Sequence, residues 1–156
     1  MQKISPFLWF NGNAEEAANF YVSIFKNSKI TAISRYGEAG PGPKGSVMVV
    51  NFQLDGETFM ALNGGPQFTF SEAISFVVKC ETQAEIDMFW EKLSEGGKPG
   101  RCGWLTDKFG LSWQIVPSQM GELAQGDPAR VARMMQALMK MTKLDMAALR
   151  QAYEQG

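Results

Sequence analysis

The chain has 156 residues, with 15 Lys and Arg against 16 Asp and Glu, and a formal net charge of −1. A nearly neutral chain without a dense basic cluster suits neither nucleic acid nor an anionic membrane surface, so we expect neither as a partner. No run of eighteen apolar residues occurs, which argues against a membrane span, and the N-terminus lacks the apolar region of a signal peptide. A chain of this length is expected to form a single domain with one core.

Cysteine and histidine content narrow the possible chemistry. Cys80 and Cys102 are the only two cysteines and lie far apart in sequence, which suggests neither a disulfide framework nor a zinc cluster and favours a reducing, cytoplasmic location. The chain contains no histidine. This excludes histidine-based triads, histidine general bases and imidazole metal ligands from the chain, so any reaction would need carboxylates, Cys, Lys, Tyr or a cofactor.

The first half of the chain predicts a strand, a helix and three more strands. The strand covers residues 4–10, and Asn13 would cap the helix, with Glu16 completing a capping box. Apolar residues at spacings of three and four put one stripe of this helix on a sheet. Further strands are predicted at 30–36, 46–54 and 57–63, with a tight turn at Asp55-Gly56 between the last two.

The second half repeats the beginning of this order. A strand at 74–80 precedes a Thr82–Glu85 capping box and a second amphipathic helix that ends before Gly96. Ile4-Ser5 matches Ile74-Ser75 at an offset of 70, whereas Phe20-Tyr21 meets Phe89-Trp90 at 69. We interpret these matches as an internal repeat of one supersecondary unit, although two unrelated strand–helix pairs would leave similar traces.

A hairpin with arms at 102–106 and 111–116 closes the second copy, which is shorter and has a missing or reduced strand. Its turn contains Asp107, which can bond its own backbone, and Gly110, which can take a positive φ. Gln114 lies mid-strand between apolar neighbours, so either a ligand or a neighbouring strand must satisfy its amide.

The C-terminal part is helical and rich in Met. Residues 118–126 read as a polar, turn-like segment, after which Asp127-Pro128 starts a helix and Asp145 caps a last short one. Five Met lie between positions 134 and 146, and Met packs adaptably against irregular surfaces. This tail can fill a core over a sheet or cover a partner subunit.

Three blocks of sequence carry a resemblance to a known family. They are residues 9–17 with Phe20-Tyr21, residues 70–76, and residues 102–104 with 107–114. In these blocks the chain resembles the PhnB-like branch of the vicinal oxygen chelate superfamily, which includes glyoxalase I, bleomycin-resistance proteins and extradiol dioxygenases. The resemblance implies an α+β fold of paired βαβββ modules, commonly assembled as homodimers. We therefore place a first module at 3–65, a shortened second module at 71–117 and a C-terminal helical tail at 118–156.

The resemblance also marks the positions where metal-using members carry ligands. They fall at Ser5 or Pro6, Asn63, Ser75 and Gln114, none of which is a carboxylate or imidazole. Neutral oxygens alone hold divalent ions weakly, so we predict no metal and no cofactor. The branch carries the label 3-demethylubiquinone-9 3-methyltransferase, but no Gly-x-Gly-x-x-Gly turn is present to support nucleotide-type cofactor binding.

Three functions compete at this point. The first is binding of a small, partly aromatic molecule in a metal-free cleft, because aromatic walls with a few amides suit a flat ligand; the predicted lining is Trp9, Asn63, Phe68, Ser75, Trp104 and Gln114. The second is a metal-independent enzyme with Cys102 as nucleophile, or Asp107 or Glu72 as general base. The third is a module that serves only assembly. Plain core packing is the alternative reading for the aromatic residues and for Cys102.

Overall fold

The computed structural model describes residues 2–155, which form two compact units, the first ending at Phe70 and the second beginning at Ser71. The first unit has the order strand, helix, strand, strand, strand. Its elements are β1 (Phe7–Phe10), α1 (Ala14–Ile24), β2 (Lys29–Arg35), β3 (Val47–Leu54) and β4 (Glu57–Asn63). The five predicted elements are therefore confirmed, although β1 begins three residues later than the predicted strand because the chain enters it through Pro6.

The first sheet has the strand order β1-β4-β3-β2, in which β1 and β4 run parallel and the other pairs are antiparallel. Side chains alternate across it, so Leu8 and Phe10 are buried whereas Trp9 points to the other face. Val50, Phe52 and Ala61 continue the buried face under α1.

The second unit repeats this topology. Its elements are β5 (Ser75–Cys80), α2 (Gln83–Ser94), β6 (Lys98–Pro99), β7 (Trp104–Thr106) and β8 (Ser112–Pro117), with the strand order β5-β8-β7-β6. The β5–β8 pair is parallel, as β1–β4 is in the first sheet, and the other pairs are antiparallel. The repeat and the shortened second module are confirmed, because the strand expected to be reduced is β6, with two residues.

The two helices begin differently. Thr82 Oγ1 accepts a hydrogen bond from Glu85 N at 3.1 Å, as predicted, and Glu85 Oε2 accepts from Glu81 N at 3.3 Å. The capping box predicted at Asn13 is wrong, because Asn13 has φ −116° and ψ 25° and makes no side-chain capping bond. The Asn63 side chain on β4 instead accepts from Ala14 N at 2.9 Å.

The helices align at an offset of 69 rather than 70. Ala17 and Ile86, and likewise Ile24 and Leu93, are pairs of buried residues related by this offset. The helix starts obey the same offset, since α1 begins at Ala14 and α2 at Gln83.

The tail belongs to the second unit. It contains α3 (Met120–Leu123), α4 (Pro128–Leu138) and α5 (Met146–Glu154), and the predicted caps at Asp127 and Asp145 are confirmed by bonds from Arg130 N and Ala148 N. The segment predicted to be only turn-like contains α3. Among residues 2–155, no helix has both the length and the apolar character to cross a membrane.

Tail residues and second-unit residues share an apolar cluster and a series of hydrogen bonds. Met134, Leu138, Leu144 and Leu149 are buried together, with Cys102 and Val116 packed against them. Cys102 N donates to Met141 O at 2.8 Å, and Gln83 both donates to Leu144 O and accepts from Met146 N. The tail thus packs directly against the core of its own unit, as the core-filling alternative expects.

Candidate functional site

The carboxylate of Asp107 is a structural centre of the β7–β8 hairpin. Asp107 is 2% exposed, and its Oδ1 accepts from Phe109 N at 2.8 Å and from Leu111 N at 3.0 Å. Its Oδ2 accepts from Trp113 Nε1 at 2.9 Å. Asp107 was predicted to shape this turn and was also a candidate general base. Its hydrogen bonds fit the first role. Because both carboxylate oxygens already accept hydrogen bonds from the protein, few lone pairs remain for a substrate.

The other two candidate catalytic residues lie in different settings. Cys102 is half-buried with φ 60° and packs against the apolar tail cluster. The guanidinium of its neighbour Arg101 donates to Met139 O at 3.2 Å. Glu72 is exposed in the segment before β5. Within residues 2–155, no hydrogen bond or ion pair orients the side chain of Cys102 or of Glu72 for catalysis.

Cys80 provides a contrast to Cys102. It is fully buried at the end of β5, and burial, reinforced by the nearby Glu85 carboxylate, raises the pKa of its thiol to about 11. Cys80 is therefore protonated at neutral pH and suits a core position.

Three of the predicted ligand-binding residues meet on one face of the second sheet. Alternation along β8 sends Trp113 and Ile115 to the buried side, on which α2 packs, and Gln114 to the other side. Gln114 Nε2 donates to Ser75 Oγ at 2.9 Å on the adjacent strand. The register places Trp104 of β7 directly opposite Gln114. The Gln114 amide is thus bonded by a neighbouring strand, one of the two alternatives that the sequence left open.

This face, which we name the polar face, consists of two cross-strand rows. The first row is Val77, Gln114 and Trp104, and the second is Ser75, Ser112 and Thr106. Val77 is 50% exposed, so solvent reaches the first row. The polar face therefore brings an indole, an amide and hydroxyl groups together on rigid strands.

Ser112 is a member of this face that sequence reasoning did not select. It is 1% exposed, and its Oγ has no hydrogen-bond partner within residues 2–155. A buried polar atom without a partner is unusual in proteins, and an ordered water or a ligand atom commonly satisfies it. Asn51 Oδ1 and Gln119 Oε1 are likewise buried without a partner within residues 2–155, but neither belongs to the polar face. The only sequence signal was its place in the alternation of β8 with Gln114.

The three predicted binding residues of the first unit do not share one face. Trp9 Nε1 donates to Gly65 O at 2.9 Å, and its ring meets the exposed ring of Phe68 edge to face, with centroids 4.9 Å apart. Asn63 lies on the helix side, where it accepts from Ala14 N and donates to Val47 O at 3.1 Å. Both ends of its side-chain amide therefore already form hydrogen bonds within the first unit.

A cavity of about 550 Å³ lies at the end of the first sheet. Its lining consists of Asn11, Gly12, Glu15, Tyr36, Pro41, Gly42, Pro43, Ser46, Val47 and residues 63–67. Of the predicted binding residues only Asn63 lines it, while Trp9 lies behind Gly64, where an added Cβ would clash with its ring.

The positions that correspond to metal ligands in the superfamily do not suit a divalent ion. Asn63 Oδ1 is bonded to a backbone N–H, and Ser75 and Gln114 are bonded to each other. All three side chains are neutral, whereas Zn²⁺, Fe²⁺ and Mg²⁺ bind most tightly to imidazole or anionic ligands. Within residues 2–155, no three His, Cys, Asp or Glu side chains group as a metal site. We therefore derive no chemistry through a metal.

The repeated βαβββ topology is that of the vicinal oxygen chelate class of proteins. The family model described as 3-demethylubiquinone-9 3-methyltransferase matches residues 2–116. A solved PhnB protein from Bacillus cereus, which carries the same methyltransferase description, is 45% identical over 74% of this chain and 99% of its own, with a TM-score of 0.66. The chain belongs to the 3-demethylubiquinone-9 3-methyltransferase family, the PhnB-like branch of the glyoxalase/bleomycin-resistance superfamily.

More distant structures share the fold alone. PA1353 from Pseudomonas aeruginosa is 24% identical over 75% of this chain and 98% of its own, with a TM-score of 0.62. The fosfomycin resistance protein FosX from Listeria monocytogenes, solved with Mn(II) and a sulfate ion, is 13% identical over 80% of this chain and 97% of its own, with a TM-score of 0.54. A search of curated proteins gave no match. The predicted α+β fold is thereby confirmed.

Proposed function

We propose that the chain is a binding protein for a small, partly aromatic molecule, held without a metal on the polar face of the second unit. The observation that carries the proposal is the unpartnered, buried Ser112 Oγ beside the Gln114–Ser75 hydrogen bond. An apolar ring of the ligand would stack on Trp104, and a carbonyl or hydroxyl of the ligand would bond the hydroxyl and amide groups.

Rigid support favours recognition at this position. Gln114, Ser75 and Trp104 all lie on strands whose hydrogen-bonded register fixes their spacing. The Gln114–Ser75 bond uses one amide donor, and no hydrogen bond to Oε1 of Gln114 occurs within residues 2–155, so this oxygen is available as an acceptor. Binding groups that are held in place lose less conformational entropy when a ligand arrives.

The predicted residues of the first unit have separate roles in this proposal. Trp9 and Phe68 form an aromatic pair at the chain segment that follows β4, and Asn63 joins α1 to its sheet. We assign no residue a role in the methyl transfer that the family description names. Homodimer assembly and a cytoplasmic location remain predictions from the resemblance and the composition.

A ligand screen in the presence of EDTA tests the proposal. We expect quinone-like and other aromatic carbonyl compounds to raise the melting temperature and to quench tryptophan fluorescence, with no dependence on added Mn²⁺ or Zn²⁺. The substitution Gln114→Ala should weaken binding about tenfold, roughly the loss of one good hydrogen bond. Gln53→Ala on β3 is the matched control and should bind as the parent does. Binding that requires the metal, or that is equal in both variants, would overturn the proposal.

The enzymatic alternative, with Cys102 as nucleophile, is separable by labelling. Cys80 is a poor reference thiol because burial already withdraws it from reaction, so Cys102 will react faster whatever its role. The useful reference is free glutathione. Alkylation of Cys102 at neutral pH faster than glutathione would favour catalysis, whereas slower alkylation fits its packing against the tail.

A further inference from the structure

The cavity of the first unit is independent of the polar face and has its own chemistry. It lies where the parallel strands β1 and β4 end at the start of α1, and the segment between β2 and β3 forms its other wall. Its volume of about 550 Å³ falls within the usual range for small-molecule sites. Tyr36 holds one wall in place, because its ring packs against the Gly42 backbone and its hydroxyl donates to Asn63 O.

The lining of the cavity carries a negative charge and no positive charge. Glu15 is the only acidic or basic side chain among the lining residues. It is half-buried, and its carboxylate makes no hydrogen bond or ion pair within residues 2–155. The nearest basic residues in the sequence of this wall are engaged elsewhere, since Lys44 pairs with Glu38 at 2.8 Å and Arg35 donates to Gly45 O at 3.2 Å.

The position of Glu15 in the first turn of α1 does not account for this arrangement by itself. A carboxylate is favoured there by the helix dipole, but Glu16 occupies the same turn. Glu16 is exposed and does not line the cavity. The dipole therefore accounts for both glutamates equally, whereas only Glu15 lines the cavity, where no basic side chain among the lining residues balances its charge.

The remaining walls are suited to a carbon skeleton. Pro41, Pro43, Pro66, Val47 and the Tyr36 ring supply apolar surface. A single carboxylate among such groups is a poor site for a divalent cation, which needs several oxygen ligands. A carboxylate or phosphate ligand would meet the negative charge of Glu15, which no basic side chain among the lining residues offsets. What fits both features is a cation attached to an apolar body.

We propose that this cavity binds a small primary amine with an apolar or aromatic body, with Glu15 as the counter-charge. The ammonium group donates to the Glu15 carboxylate in a charge-assisted hydrogen bond. The proline and tyrosine walls contact the body of the ligand, and the side-chain carbonyl oxygens of the exposed residues Asn11 and Gln67 accept hydrogen bonds from its remaining N–H groups.

Isothermal titration at pH 7 and low salt, with benzylamine, benzyl alcohol and benzoate as probes, tests the proposal. The parent protein should bind benzylamine at least tenfold more tightly than benzyl alcohol. Any benzoate binding should be weakened by Gln114→Ala and not by Glu15→Gln, because an aromatic carboxylate suits the polar face and not this cavity. Glu15→Gln should weaken benzylamine about tenfold and bring it close to benzyl alcohol, as expected for loss of an ion pair in a partly desolvated site. Glu16→Gln is the matched control, because it removes the same charge from the same turn outside the cavity.

Two outcomes would overturn the proposal. Equal weakening by Glu15→Gln and Glu16→Gln would show general electrostatic attraction, and equal affinity for the amine and the alcohol would show that the carboxylate plays no part. The melting temperature of each variant checks that it is folded. Gln114→Ala should leave benzylamine binding unchanged. The experiment therefore tests the cavity independently of the proposed binding site on the polar face.

Discussion

The two units share one strand order but stabilise it with different contacts. In the first unit, the hairpin between β3 and β4 turns at Asp55 and Gly56, which have φ 50° and 80° and are both exposed. In the second unit, the hairpin between β7 and β8 turns around the buried Asp107 carboxylate with its three donors. The topology is therefore common, whereas the hydrogen bonds that hold it are not.

The difference follows from strand length. The β3–β4 pair has six register positions and β7–β8 has three, so the shorter pair has fewer ladder hydrogen bonds to hold its register. A side-chain carboxylate that binds both the turn and Trp113 replaces part of the missing ladder. A short strand pair thus needs a stronger turn.

The largest effect is expected from Asp107→Ala. This substitution leaves Phe109 N, Leu111 N and the indole N–H of Trp113 without their acceptor, and unsatisfied buried donors are costly. We expect a loss of about 4 kcal/mol in the free energy of unfolding, measured by urea denaturation.

Asp55→Ala in the equivalent turn of the first unit is the control for this comparison. Its cost should be about 1 kcal/mol, which is the effect of placing Ala at a positive φ on the surface. Similar losses for the two variants would mean that the two turns are energetically alike, against the contrast drawn from their contacts.

Much of the fold follows from local sequence signals. The Thr82–Glu85, Asp127 and Asp145 caps and the turn at Asp107 were all predictable, because the residues that make these bonds are neighbours in sequence. The cap of α1 was not predictable, since its acceptor, Asn63, lies 49 residues from Ala14. Local patterns do not reveal which distant side chain reaches a helix end.

The candidate site was predictable only in part. Gln114 attracted notice as a polar residue among apolar neighbours, and its partner proved to be the predicted Ser75. Ser112 and Glu15 were missed for a physical reason: their significance lies in the absence of a partner, which depends on three-dimensional packing. The cavity is lined largely by Gly and Pro segments, whose paths sequence periodicity does not determine.

A smaller effect should distinguish the two units by pH. Phe10 ends β1 and Cys80 ends β5, and both are buried, but only Cys80 can ionise. Its pKa is raised from 9.0 to about 11, so the folded state holds the proton more tightly than the unfolded state. Stability from this group is complete below about pH 9 and is lost as the pH rises to about 11. The expected loss is about 2 to 3 kcal/mol.

Denaturation of the parent and of Cys80→Ala at pH 8 and at pH 10.5 measures this loss. The variant is less stable at pH 8 because of its cavity, but its stability should fall less between the two pH values. An identical pH dependence would show that other groups cause the alkaline loss and that the first strands of the units do not differ in this respect.

The smallest difference concerns the two helix starts. Asn63→Ala removes an acceptor for Ala14 N and a donor to Val47 O, so it should cost about 2 kcal/mol. Thr82→Ala removes only the local cap of α2 and should cost about 1 kcal/mol. Both values come from urea denaturation at pH 7.

Asn63→Asp separates the two bonds of Asn63. The carboxylate keeps the acceptor for Ala14 N and favours the positive end of the α1 dipole, but it loses the donor and faces the Val47 carbonyl. If the cap dominates, Asn63→Asp should be more stable than Asn63→Ala. If Asn63→Asp is the less stable of the two, the hydrogen bond to Val47 O on β3 contributes most to stability. Asn63 then acts mainly by connecting β4 to β3, and its capping of α1 is secondary.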